Sequence, residues 1–224
     1  MALSIVMLAY PGMTQLDLTG PFEVLARLPD AKVHLAWTST RAITDAAGLT
    51  LTPTIKFGHL DRCDVLFVPG GPGQVKLMAD ETVLRFLRYM AQEARIIAAV
   101  STGSLLLGAA GLLKGHRAAC HWLSAGQLPL LGALPSPERV VQDGNRVTGA
   151  GSSAGLDVAL AIVAALAGAD EAGRIALALE YEAHLAPMDP ETRQRLEAEI
   201  RARTEEFQMT REAAARAAGA RLSA

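Results

Sequence analysis

Residues 95–114 read Arg-Ile-Ile-Ala-Ala-Val-Ser-Thr-Gly-Ser-Leu-Leu-Leu-Gly-Ala-Ala-Gly-Leu-Leu-Lys, and the rest of the chain is understood outward from them. Ile96 to Val100 is a short apolar run with β-branched residues and no polar alternation, the pattern of a strand buried on both faces. Thr102 to Leu113 is rich in Ala, Leu and Gly, which suits a helix packed closely on a sheet. Ser101 stands at the joint, where free N–H groups at a helix start favour negative charge. Two structural readings compete with a functional one. Ser101 could simply cap the helix. The uncharged run Ile96 to Leu113 also reaches the ~18 residues of a membrane span, but the Ser-Thr-Gly-Ser break in its middle argues against that.

The chain has 224 residues, a net charge of -2 and 50% hydrophobic residues, enough for one large α/β domain. With only 4% aromatics and no basic excess, it lacks the composition of a nucleic-acid surface. The apolar N-terminus carries no basic leader and no A-x-A pattern, so it reads as a first strand. Cys63 and Cys120 stand far apart and in no metal-like spacing, which predicts reduced thiols in a cytoplasmic protein and no metal.

Leu3 to Ala9 is a predicted strand ending at Tyr10-Pro11-Gly12. A helix is expected from about Pro21 to Leu28, capped by Thr19, with Asp17 in the loop before it. Val33 to Thr38 is a second strand, and Leu49 to Ile55 an extended segment. Asp64 to Val68 is a buried strand running into Pro69-Gly-Gly-Pro-Gly73, a turn without phosphate-loop spacing that can aim N–H groups inward. Thr82 to Ala94 is an amphipathic helix, and a further helix is expected near Trp122 to Leu131. Asp143-Gly144 marks a hairpin between Arg139–Val141 and Arg146–Thr148. Helices follow at Leu156 to Ala167 and Ala172 to Ala183, the latter with Glu180 and Glu182 near its end. From Pro190 the chain is charged and helical, with Glu197–Arg201 and Glu199–Arg203 at i,i+4 and a thin seam of Leu196, Ile200 and Phe207. This tail is read as docked on the domain, with a dimer contact as the alternative. Alternating strands and helices predict a mostly parallel, doubly covered sheet.

In such a sheet ligands bind beyond the strands' carboxyl ends. Asp17, Gly70-Gly71 and Ser101 all fall there, offering an acid/base, backbone donors and a nucleophile position. A serine hydrolase fits poorly, since Ala99-Val-Ser-Thr-Gly103 lacks the first Gly of G-x-S-x-G and His184 is the only late histidine available.

Tyr10 to Pro29, Asp64 to Gly71, Ala98 to Gly115, Arg117-Ala-x-x-His-Trp122 and Arg139 to Leu160 together resemble the DJ-1/PfpI superfamily, over about residues 3 to 183. The Leu-Asp-Leu-Thr-Gly-Pro21 segment and the elbow threonine look most like its isocyanide hydratases. The resemblance implies a flavodoxin-like sandwich forming one domain over 1–224, a helical tail from about 188, and a homodimer. It implies catalytic roles at position 101, Asp17 and Thr102, and substrate binding by Gly70, Gly71, Pro72, His121, Ser152 and Ser153. The implied reaction adds water to an isocyanide, giving an N-substituted formamide through a covalent thioimidate, with no cofactor. Gly71 would offer an N–H to the pocket, and the apolar helix from Leu156 would favour hydrophobic substrates.

The chain departs from that pattern at its centre: the elbow residue is Ser101 where the family has cysteine. Serine ionises far less readily than a thiol at a helix start. The serine is read as an engineered replacement in an otherwise competent hydratase, with a natural serine variant that has lost activity or changed reaction as the rival; either way little hydratase activity is expected. The alternatives are a small-molecule sensor, whose relatives continue into a DNA-binding domain, and a protease- or chaperone-like member, which would need an early Glu and a His after the elbow.

Overall fold

The computed structural model describes residues 3–181 and 190–223. From the N-terminus, β1 (Leu3–Leu8) leads through α1 (Gln15–Leu25) to β2 (Ala31–Trp37). Three short strands follow, β3 (Ile43–Thr44), β4 (Thr50–Leu51) and β5 (Ile55–Lys56), then β6 (Val65–Val68). The helices α2 (Gln74–Leu77) and α3 (Glu81–Ala91) precede β7 (Ile96–Val100), and α4 (Gly103–Ala109) follows it at once. Beyond lie β8 (Arg117–Ala118), a 3-10 helix (Ala125–Leu131), β9 (Leu134–Pro135), and the hairpin β10 (Val140–Asp143) and β11 (Arg146–Gly149). Three helices close the chain: α5 (Ala154–Ala167), α6 (Ala169–Ala178) and α7 (Pro190–Ser223).

Seven strands form the central sheet in the order β10-β11-β7-β6-β1-β2-β5, parallel except for the β10–β11 hairpin. All five residues of β7 and all four of β6 are buried, as their unbroken apolar sequences require of strands covered on both faces. The chain steps outward from β1 to β2, then returns to the other side of β1 with β6. That reversal opens a crevice at the carboxyl ends of β1, β6 and β7.

Several elements differ from their predicted bounds for identifiable reasons. Helix α1 begins at Gln15, so Asp17 sits in its first turn rather than in a loop before it. Thr14, not Thr19, is the N-cap residue, and the Thr19 hydroxyl donates to the Gln15 carbonyl at 3.0 Å. Pro21 lies inside the helix; its missing N–H leaves one carbonyl without its helical partner. Its ring packs where a Cβ on Gly155 would come within 2.9 Å, so glycine there lets α5 approach α1.

The helix after the elbow is also shorter than expected, stopping at Ala109 with Ala110 as C-cap. Gly111 takes φ +82, the left-handed turn that ends helices. The expected extended segment from Leu49 splits at Pro53, with β4 pairing β3 and β5 pairing the sheet edge. The helix expected near Trp122 is a 3-10 helix over Ala125–Leu131, with Pro129 inside it.

Helix α7 packs its last turns on the core. Ala215 and Ala218 are buried, and a Cβ on Gly219 would lie 1.8 Å from the Leu130 carbonyl oxygen. Arg221 Nη2 donates to the Met78 carbonyl at 2.5 Å. The side chains of Leu196, Glu197, Glu199, Ile200 and Arg203, and residue Glu182, lie outside the described residues.

Candidate functional site

Ser101 leaves β7 with φ +56, a left-handed conformation that a non-glycine residue rarely holds and that costs about 1–3 kcal/mol. Its N–H donates to the Gly149 carbonyl at 2.9 Å, which fixes the turn to β11. The chain then dives into α4 so tightly that a Cβ on Gly103 would meet the Val68 carbonyl oxygen at 2.2 Å. A strand, a strained residue and an obligatory glycine therefore form a rigid elbow. Ser101 is not the N-cap of α4; Thr102 is, without a side-chain capping bond.

The first turn of α1 carries Asp17 to this elbow, fully buried. Its Oδ2 accepts the Gly70 N–H at 2.9 Å, while Oδ1 has no hydrogen-bond partner. Burial pushes its pKa from 3.8 up to about 6, against the opposing pull of the Ser152 hydroxyl, the Gly70 N–H and the Ser101 hydroxyl. The hydroxyls moderate the charge from nearby without meeting hydrogen-bond geometry at Oδ1. Gly70 must be glycine, since a Cβ there would stand 2.7 Å from Asp17 Oδ2 and 2.6 Å from the Thr102 nitrogen.

The Gly71 N–H, expected to face the pocket, instead donates to Thr102 Oγ1 at 2.9 Å. That bond uses an acceptor site on the Thr102 hydroxyl and leaves its own proton available to a ligand.

A cavity of about 230 Å³ opens over the elbow. Of the residues expected there, Ser101, Thr102, Gly71, Pro72, His121 and Ser152 line it. Gly70 lies behind this wall, holding Asp17. Ser153 lies elsewhere: it is exposed, and Arg139 binds its carbonyl at 2.9 Å and its hydroxyl at 3.3 Å. Arg139 is itself drawn to that end of α5 by Asp157, at 2.6 Å.

His121 Nδ1 accepts the Leu123 N–H at 3.3 Å, and burial together with the Arg211 charge holds its pKa below the usual value. The ring is therefore neutral at pH 7, with its proton on Nε2. Cys63 and Cys120 are buried thiols, both pushed up to about 12, and neither lines the cavity.

Six further residues complete the wall. Thr14 and Leu123 come from loops, and Thr204, Phe207, Gln208 and Arg211 all from α7. No residue of α5 reaches the cavity, so the apolar side expected from the helix after Leu156 is absent; apolar surface comes instead from Pro72, Leu123 and Phe207, among mostly polar residues. Among the described residues, no group of three or more His, Cys, Asp or Glu could hold a metal ion, and no helix is long and apolar enough to cross a membrane.

Comparison with known proteins agrees with this geometry. Isonitrile hydratase from Pseudomonas putida is 51% identical over 181 residues, covering 81% of this chain and 79% of its own. An HTH-type transcriptional regulator of Pseudomonas aeruginosa, GbdR, is 31% identical over 144 residues, 63% of this chain and 39% of the regulator. Among solved structures, a THiJ/PfpI family protein from Pseudomonas syringae superposes with a TM-score of 0.91 at 37% identity, covering 96% of this chain and 91% of that one. Residues 3–165 match the DJ-1/PfpI family as a whole, and with the parallel sheet and the strained elbow in place the chain belongs to that family.

Proposed function

We propose that this chain is an isocyanide hydratase scaffold with serine at its nucleophile position. The observation that carries the reading is Asp17, a fully buried acid with a pKa near 6 beside a strained elbow residue. Its 51% identity to a protein named isonitrile hydratase supplies the reaction class.

A thiolate at position 101 would attack the terminal carbon of R–NC while Asp17 delivers its proton to the same carbon, giving R–N=CH–S–enzyme. A neighbouring thiolate favours the acid form of Asp17, because two adjacent anions cannot both be easily accommodated. Water then adds to the thioimidate carbon; Asp17 takes a proton from it and passes that proton to nitrogen. The resulting R–NH–CH(OH)–S–enzyme collapses to R–NH–CHO and thiolate, and the hydroxyl proton returns Asp17 to its acid form. Thr102, with its hydroxyl oxygen held by the Gly71 N–H, orients the water or the substrate. No metal or organic cofactor enters these steps.

With Ser101 in place the first step lacks an ionised nucleophile, and Asp17 is a weak base for a hydroxyl. The chain as written is expected to show little turnover. The same reading carries a cytoplasmic, homodimeric enzyme formed from one domain. The decisive assay is formamide formation from a simple isocyanide by this chain, its Ser101→Cys form and the Ser101→Cys, Asp17→Asn double variant. Turnover that appears with cysteine and disappears with asparagine supports both roles. Inert, folded cysteine protein sinks the hydratase reading and favours a binding protein.

A further inference from the structure

Arg211 is the unexplained charge in this cavity. It is 5% exposed, projects from α7 into the cavity wall, and stacks on the Phe207 ring with its guanidinium carbon 4.5 Å from the ring centre. Its hydrogen bonds to the described residues come from one nitrogen: Nη1 donates to the Ser124 hydroxyl at 2.5 Å and to the Gln208 side-chain amide oxygen at 3.3 Å. Nε is buried without a partner. No carboxylate of the described residues pairs with it, and the adjacent Glu212 is held by Arg216 at 2.6 Å. The neighbouring His121, neutral or protonated, brings no negative charge.

Among the described residues this buried cation meets neutral partners only, which is expensive, and its missing half is an anion. A guanidinium matches a carboxylate, which it can hold by a charge-assisted N–H···O bond. We propose that Arg211 anchors the carboxylate of the ligand, so that the substrate is a short isocyanide bearing a carboxylate. The isocyanide half of this statement rests on the hydratase reading; the carboxylate half does not. Size agrees with it: the cavity of about 230 Å³ has room for such a molecule. Arg211 lines the same cavity as Ser101 and Thr102, so a carboxylate on it shares the space that opens on the elbow.

The test is calorimetric titration of the unaltered Ser101 chain with isocyanoacetate and with isocyanoacetamide, which has the same number of non-hydrogen atoms and no charge. The acid is expected to bind about tenfold tighter or better, as a charge-assisted pair should give. In Arg211→Gln the two ligands should bind within about twofold of each other, while Arg211→Lys keeps part of the preference. Melting curves on both variants show whether the fold is kept, and the acid-against-amide comparison on the unaltered chain needs no variant at all. Equal binding of acid and amide to the unaltered chain overturns the proposal, as does a preference that survives Arg211→Gln. The two readings fail separately. An inert Ser101→Cys form whose parent still prefers N-formylglycine to N-formylglycinamide through Arg211 keeps the carboxylate anchor and removes the isocyanide. Turnover of neutral isocyanides with no preference for the acid keeps the hydratase and removes the anchor.

Discussion

Replacing Asp17 with asparagine separates the energetic cost of the site from its chemistry. The carboxyl is fully buried and its pKa is raised from 3.8 to about 6, so the folded state holds the proton more tightly than the unfolded chain does. Stability from the neutral form is complete below about pH 4 and is lost as pH rises through about 6. Two decades of proton affinity amount to ~3 kcal/mol that the ionised carboxylate costs the fold above that window. Asparagine keeps an oxygen for the Gly70 N–H, now 2.9 Å from Oδ2, and cannot ionise. Its amide N–H groups would face the hydroxyls of Ser101 and Ser152, which can accept. Asp17→Asn should therefore be more stable than its parent by about 3 kcal/mol at pH 8, roughly 6–12 °C in Tm for a chain of this size. The gap should close by about pH 4, where both side chains are neutral. Melting curves of the two proteins at pH 4, 6 and 8 read this directly. An asparagine form no more stable than its parent at pH 8, or a gap independent of pH, would refute the argument that burial dominates the Asp17 environment.

Three other perturbations follow from the same geometry. Ser101→Gly relieves the φ of +56 and should stabilise the fold by about 1 kcal/mol, measured by urea denaturation at unchanged m-value. Gly103→Ala drives a Cβ to 2.2 Å from the Val68 carbonyl oxygen and should cost more than about 3 kcal/mol in the same assay; a near-neutral result would mean the elbow can shift. Cys63 and Cys120, both with pKa near 12, should resist iodoacetamide at pH 8 in the native state, whereas a Ser101→Cys form should take up one equivalent, counted by intact mass.

What the sequence made legible is local. The elbow could be read because an apolar run, a polar joint and a small-residue helix lie within twenty consecutive residues, and each has its own short-range cause. Asp17 was legible as a carboxylate near a strand end, although its place inside α1 was not, because Pro21 looks like a helix start when it is in fact an interior residue packed against α5. Ser153 was misplaced because Ser152 and Ser153 are adjacent and alike; only the turn decides which of them faces the cavity and which meets Arg139. The α7 contribution was hidden by distance and by composition. Arg211 stands more than a hundred residues from the elbow, in a segment so charged that any arginine reads as solvated. A signal did exist: Arg211, Ala215, Ala218 and Leu222 recur at helical spacing, and the small residues among them mark a docked face. An arginine on such a face is buried, and it is 5% exposed here.

Three unfavourable features meet at this one place: a non-glycine residue at positive φ, a carboxyl oxygen buried without a partner, and a guanidinium nitrogen buried without one. Each costs about 1–3 kcal/mol against a total stability of about 5–15 kcal/mol. None is required to form the sheet, since β6 pairs with both β1 and β7 beneath them. Such a concentration of strain and orphaned polarity is expected where a ligand supplies the missing partners. All three are present with serine at position 101. On the proposed reading, Asp17, Thr102 and Arg211 need no rearrangement to serve as acid, water-orienting hydroxyl and anchor. Restoring a nucleophile should accordingly require one sulfur atom and no compensating substitution: Ser101→Cys is expected to leave the urea midpoint nearly unchanged while formamide formation appears. If turnover emerged only after second changes around Asp17 or Arg211, the site would be organised for a different chemistry, in which the serine is the intended residue.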